Sequence, residues 1–268
     1  LRGITVRVSG YNDKLPQLLH EILLRLRYPV VDADAFRTRL RELQDELGNA
    51  AQRRPYEIAI SRIQERLMAD VHPHAERLEA TQGLAASDLR AHADSFYQRL
   101  DPVMLVHGNM TRAAALNLQA RSRHLIMDDA EHATVPRSRL KRLAQESQTL
   151  RAAVRHSDQG YIRYIQGNDK EYQSRALYTV LAQVLSAPFY ESLRTRQQMG
   201  YIVNAAYYPI MEVPALAFIV QSPDNTSEEI TNSVGQFLEQ QEERLGKMSE
   251  QRFERQKQAV ISQIAEDE

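Results

Sequence analysis

Cysteine is absent from the 268 residues. That excludes a disulfide framework and a thiolate metal site, and it leaves the redox compartment open. No apolar run approaches the roughly eighteen residues that a membrane-spanning helix needs, so no membrane span is expected. No charged-then-apolar leader opens the chain either, because Leu1 to Ser9 already alternate like a strand, as though the sequence began within a domain. Neither sign of charge dominates: 34 Lys and Arg face 35 Asp and Glu, a net of -1, which offers no field for nucleic acid or an anionic membrane. The richest basic stretch, Arg121 to Arg155, has no aromatic residues interleaved for base stacking and reads as solvated strand faces or an interdomain surface. Low-complexity tracts and short-period repeats are also missing.

Hydrophobic residues make up 43% of the chain, ample for one large or two medium cores. Ile4, Val6 and Val8 alternate with polar residues as in a half-buried strand, and Gly10-Tyr11-Asn12-Asp13 supplies turn and cap chemistry. Leu15, Leu18, Leu19, Ile22, Leu23 and Leu26 then share one face of a helix over 14–27, with Pro16 tolerated in its first turn. Further helices are predicted over 34–49, over 55–70 after the break at Arg54-Pro55, and from Ser87 or Asp88 to about Leu100. A buried strand is expected at Pro102 to His107, followed by a helix from Thr111.

Periodicity fades over 125–140, so the domain boundary is set there, giving domains 1–135 and 136–268. The second begins with strand-like segments at about 138–145, 148–154 and 160–166. A helix from Glu171 and another opened by Pro188 and stopped by Gly200 come next. Tyr201 to Tyr208 and Ala215 to Gln221 read as a hairpin with a long loop, and Thr226 with Glu229 as the capping box of a further helix. A last helix should start at Ser249. The expected class is α+β, two related domains each with an antiparallel or mixed sheet and helices packed on one face.

A zinc peptidase of the HExxH or HxxEH type needs two histidines four apart on a helix beside a glutamate, and neither motif occurs among the eight histidines. His20-Glu21 begins like HExxH but continues to Leu24 on a leucine-rich helix. Asp128-Asp129-Ala130-Glu131-His132 matches HxxEH only with Asp in the first ligand position. His72-Pro73-His74 lacks a third ligand and reads as an exposed loop. No phosphate-cradling glycine loop, GxSxG elbow or Cys/His pair is present.

The stretch Phe189-Tyr190-Glu191-Ser192-Leu193-Arg194-Thr195-Arg196-Gln197-Gln198-Met199-Gly200-Tyr201-Ile202-Val203 resembles the C-terminal half of long-chain pitrilysin/insulinase-type zinc metallopeptidases. Three further segments agree in order and spacing: Gly10-Tyr11-Asn12-Asp13-Lys14, His107-Gly108-Asn109 and Phe218-Ile219-Val220-Gln221-Ser222. The resemblance implies a protease of four related α+β domains closing around a peptide, with this chain as the later part of the third domain joined to the earlier part of the fourth. Zinc and general base would then belong to the N-terminal half of the same enzyme. No cofactor or metal ligand is expected in this segment, which alone should be inactive.

By the same resemblance, Arg194 and Tyr201 bind the substrate backbone, and Tyr201 is the candidate catalytic residue. A guanidinium fork and a phenol donor suit a peptide carbonyl as it becomes an oxyanion. Gln198 and Asn204 are secondary candidates, and His107 is read as a turn residue. The expected partners are peptide substrates and the enzyme's own N-terminal half, with self-association possible through uncovered sheet edges. A catalytically dead relative serving as a structural or assembly subunit is the alternative reading. The sequence leaves the compartment unknown, and a bacterial periplasm is only what the resemblance suggests.

Overall fold

The structure, a computed structural model, describes residues 3–128, 130–134, 138–144 and 146–266. Its contacts divide the chain into two units, residues 1–48 with 75–137 and residues 49–74 with 138–268. The expected boundary at 135–136 falls on residues outside those described.

In the first unit, the Leu-rich periodicity produces helix α1 (Leu15–Arg27), with Pro16 harmless in a turn whose N–H groups lack helical partners. Helix α2 spans Ala33–Gly48, and the Asp32 carboxylate accepts from the N–H groups of Asp34 and Ala35 at its start. Short α4 (His74–Ala80) precedes α5 (Ala86–Phe96), where Asp88 accepts from the Ala85 N–H at 2.7 Å. Helix α6 (Arg112–Met127) is capped by Thr111, whose hydroxyl accepts from the Ala114 N–H, and it packs on α1.

Two strands expected in this unit do not form. Residues 3–9 and 102–107 have no regular structure and no ladder partner among the described residues, and Val103 and Leu105 lie about 90% exposed. Alternation marks a chain able to pair, but a strand exists only where a neighbour supplies the other half of each hydrogen bond. The ladder present is a two-residue parallel one between β1 (Arg99–Leu100) and β2 (Glu131–His132).

The second unit holds an antiparallel sheet of order β3-β5-β4, built from β3 (Gln159–Gln166), β4 (Ile202–Tyr207) and β5 (Ala215–Ser222). The expected strands over 138–145 and 148–154 are irregular where described, apart from a bridge between Met68 and Leu140. Central β5 is buried throughout, because helices cover both of its faces. Leu216, Phe218 and Val220 meet α7 (Tyr172–Phe189) and α8 (Ser227–Gly246), with Phe189 lying 5.3 Å from Phe218 and 5.1 Å from Phe237 between ring centres. Helix α3 (Pro55–Leu67) packs on β3 and β5, so close that a Cβ on Gly160 would come within 2.6 Å of Pro55. Helix α9 (Glu250–Glu266) packs on α7.

Pro188 does not open a new helix, as the sequence led us to expect. It sits in the last turn of α7, which runs on into a π-helical segment over Tyr190–Arg196. Proline has no N–H to give, and the chain widens just after it, so that the Gln197 N–H donates to the Ser192 carbonyl five residues back. Nor is Gly200 what ends this helix. Gln198 takes the left-handed conformation, φ 53°, and Met199 N–H closes on the Leu193 carbonyl at 2.8 Å. Thr226 and Glu229 form the predicted capping box of α8.

Candidate functional site

Three strand ends meet where β3, β5 and β4 begin or finish: Gly160 and Ile202 are both in register with Gln221. Gly200 lies against β5 so tightly that a Cβ there would sit 2.2 Å from the Gln221 carbonyl oxygen. The role of this glycine is therefore close approach rather than left-handed backbone. The Tyr201 N–H then donates to that same carbonyl at 3.1 Å, and Asn225 Nδ2 donates to the Met199 carbonyl from the start of the α8 turn. The turn before β4 is thus held from both sides.

Tyr201 leaves this turn half exposed, 50%, but its hydroxyl is anchored. The phenol donates to Asp158 Oδ2 at 2.6 Å, and Gln221 Nε2 donates to the same carboxylate oxygen at 2.9 Å and also to the Tyr201 oxygen. The Tyr56 N–H, in the first turn of α3, faces Gln221 Oε1 at 3.4 Å, which fixes the orientation of the amide. Asp158 and Gln221 are buried, and His156 Nδ1 lies 3.4 Å from Asp158 Oδ1. The Tyr201 and Gln221 hydrogen bonds hold the Asp158 carboxyl below the ordinary carboxylate range, against the opposing effect of burial. Reciprocally, the hydrogen bond to Asp158 pushes the Tyr201 phenol above its ordinary value.

Arg194 occupies the π-helical segment, half-buried, and among the described residues it makes no hydrogen bond or ion pair with Tyr201 or the Asp158 cluster. Asn204 does meet a feature of interest. It lines, with Gln183, Ser186, Ala187, Tyr190 and Val203, an open cleft of about 400 Å³ between α7 and the outer strand β4. Gln198 is the exposed left-handed residue that ends the helix. His107 stands before Gly108 in an exposed turn.

Zinc, the metal that the resemblance implies for the family, finds no fitting set of side chains among the described residues. Among the described residues no three His, Cys, Asp or Glu side chains gather into a metal-binding group. His20 lies on α1, and Glu131 and His132 form β2, while Asp129 lies outside the described residues. No helix among those described is long and apolar enough to cross a membrane.

Sequence reasoning missed Asp158 and the partnership with Gln221. Gln221 was visible within the strand motif, but Asp158 lies 43 residues from Tyr201 and carries no local motif of its own.

The front of the chain, residues 1–80, matches the family model described as the middle or third domain of peptidase M16. Residues 180–268 match the model described as PQQ synthase PqqF-like, C-terminal lobe domain 4. Among characterised proteins, the insulin-degrading enzyme of Homo sapiens is 27% identical over 274 residues, covering 96% of this chain and 26% of its own length. Protease 3 of Escherichia coli (strain K12) is 23% identical over 276 residues, covering 98% of this chain and 27% of its own length. The chain thus spans about a quarter of the length of the curated relatives it matches. Of solved structures, pitrilysin superposes with a TM-score of 0.81 at 23% identity over 95% of this chain and 27% of its own. A peptidase M16 inactive domain from Pseudomonas fluorescens does so with 0.59 at 14% identity, over 94% and 62%. With third-domain similarity at its front and fourth-domain similarity at its back, the chain is similar to the C-terminal half of the peptidase M16 family, the pitrilysin/insulinase-type metallopeptidases.

Proposed function

We propose that this chain is the substrate-enclosing C-terminal segment of a zinc metalloendopeptidase and contributes peptide-backbone contacts from Arg194 and Tyr201. The observation that carries this reading is the Gly200-Tyr201 turn. It is closed against β5 by a contact only glycine permits, yet it leaves the Tyr201 ring half exposed two residues before the cleft-lining Val203. A tyrosine serving only as sheet packing would gain from burying its ring, whereas a binding residue needs a fixed oxygen and an open face. Arg194 adds a guanidinium that no described residue neutralises, suited to a carbonyl or carboxylate of a bound peptide. On this reading the zinc and its general base reside in an N-terminal half of the same enzyme, and peptides are the substrates. The proteases named among the relatives support that assignment.

The test is kinetic and uses the full-length protein with its metal replete. Tyr201→Phe and Arg194→Lys should each lower kcat/KM for a peptide at least about tenfold, the scale of one lost directed hydrogen bond. Wild-type kinetics in both variants would remove the two residues from the substrate path. A second reading is an inactive family member with a structural or assembly role, and the fold shared with the Pseudomonas fluorescens inactive domain is the observation that favours it. A full-length, zinc-loaded protein that cleaves no peptide would decide for it.

A further inference from the structure

Arg54 stands where the chain enters α3, and three contacts fix that entry at the end of the sheet that carries Tyr201. Gly160 admits Pro55 so closely that a Cβ on it would lie 2.6 Å away. The Tyr56 N–H faces Gln221 Oε1 at 3.4 Å, and Gln221 Nε2 in turn donates to the Tyr201 oxygen. Arg155, on the chain that leads into β3, donates its N–H to the Ala51 carbonyl at 3.4 Å. The Arg54 carbonyl serves the helix, accepting from the Glu57 and Ile58 N–H groups. The side chain is exposed and forms no hydrogen bond or ion pair among the described residues.

The charge of Arg54 nonetheless acts on this end of the sheet. The bond to Asp158 is what chiefly raises the Tyr201 phenol, and the Arg54 guanidinium works against it, lowering it. Glu57, three residues on, accepts from the Tyr56 hydroxyl at 3.2 Å, and the Asp158 carboxylate is buried and bonded by Gln221. An exposed guanidinium beside a side chain that contacts substrate, with no carboxylate paired to it among the described residues, leaves a place for one from outside.

We infer that Arg54 is a specificity-determining residue that receives a carboxylate of the bound peptide, whether an Asp or Glu side chain or the free C-terminus. This rests on the reading of Tyr201 as a substrate-contacting residue and adds which peptides are preferred. The pair forms in contact with water, so it is worth what an exposed ion pair is worth, about two- to fivefold in affinity at low salt. Arg54 therefore ranks peptides rather than deciding whether they bind.

The test uses the full-length, zinc-replete protein and fluorogenic peptides that differ at one position, Glu against Gln, moved in turn along the residues flanking the cleaved bond. A further pair carries a free or an amidated C-terminus. One Glu position, or the free C-terminus, should be favoured about two- to fivefold in kcat/KM, with the gain in KM and shrinking as sodium chloride is raised. Which pair shows it identifies the source of the carboxylate. The ratio should fall to about one in Arg54→Gln, reverse in Arg54→Glu and largely survive in Arg54→Lys, since an exposed charge does the reading. A wild type that distinguishes neither Glu from Gln nor acid from amide overturns the inference whatever the variants do. A preference that persists in Arg54→Gln overturns it too and assigns the carboxylate to another cation. In both cases the substrate-contact reading of Tyr201 is judged separately, by the kinetics of Tyr201→Phe. For a protein that binds without cleaving, the same ratios are read as Kd by fluorescence anisotropy, and failure to bind any peptide would overturn both readings.

Discussion

Gly200 shows how a single hydrogen atom in place of a methyl group positions the candidate site. With the Gln221 carbonyl oxygen only 2.2 Å from where a Cβ would stand, Gly200→Ala must push β4 away from β5 or break the Tyr201 N–H bond. The expected cost is on the order of 1–3 kcal/mol, the usual penalty of overpacking a tight contact, read as a lower urea midpoint. A midpoint within error of wild type would mean that the turn is looser than described. The buried carboxylate beside it makes a prediction about pH. Asp158 titrates below its ordinary value, chiefly because Tyr201 and then Gln221 donate to it, so its contribution is present above about pH 4 and is lost as pH falls through the lower folded value. Tyr201 titrates above its ordinary value, so its contribution is present below about pH 10 and is lost as pH rises through the folded value. The stability difference between wild type and Asp158→Asn, from urea unfolding across pH, should be largest near neutrality and narrow at both extremes. A difference independent of pH would show that the carboxylate is not held in this network. Of these residues, Gly200, Tyr201 and Gln221 lay within legible motifs. Asp158 did not, because a pairing across 43 residues leaves no mark on local pattern.

Elements were legible where local chemistry decides them. Thr226 and Glu229 announce the start of α8, and both reciprocal bonds form, with the Glu229 carboxyl held below its ordinary range by the Thr226 N–H. Thr226→Ala should cost about 1 kcal/mol in thermal or urea unfolding, whereas Thr226→Ser should be nearly silent; equal losses would point to packing rather than capping. The helices of the first half follow their apolar spacing for the same reason. Strands were less legible, because pairing is supplied by distant chain. Residues 3–9 alternate like a strand and 102–107 form a short apolar run, and neither joins a ladder with anything described, while β5 hides its alternation by being buried on both faces. Pro188 and Gly200 misled in opposite ways. Each breaks helices by rule, but the first is absorbed by a π-helical turn and the second serves the sheet.

At the scale of the molecule, neither HExxH nor HxxEH occurs in the sequence. We therefore expect the purified chain to bind no stoichiometric zinc and to hydrolyse no peptide. Elemental analysis after dialysis checks the first point, and near one tightly held zinc per chain would contradict it. The α+β class and the family were readable, the class from mixed periodicities and the family from four motifs in order. The packing of residues 49–74 with residues 138–268 was not, because nothing in the sequence of α3 names the sheet that it covers. That connectivity sets a timetable during synthesis. Helix α3 is complete at residue 67, but β3, on which it packs, begins at residue 159. At ribosomal rates of about 5–20 residues per second, α3 waits on the order of 5–20 seconds for β3 and longer for β5, and the side that it will turn to the sheet stays wet throughout.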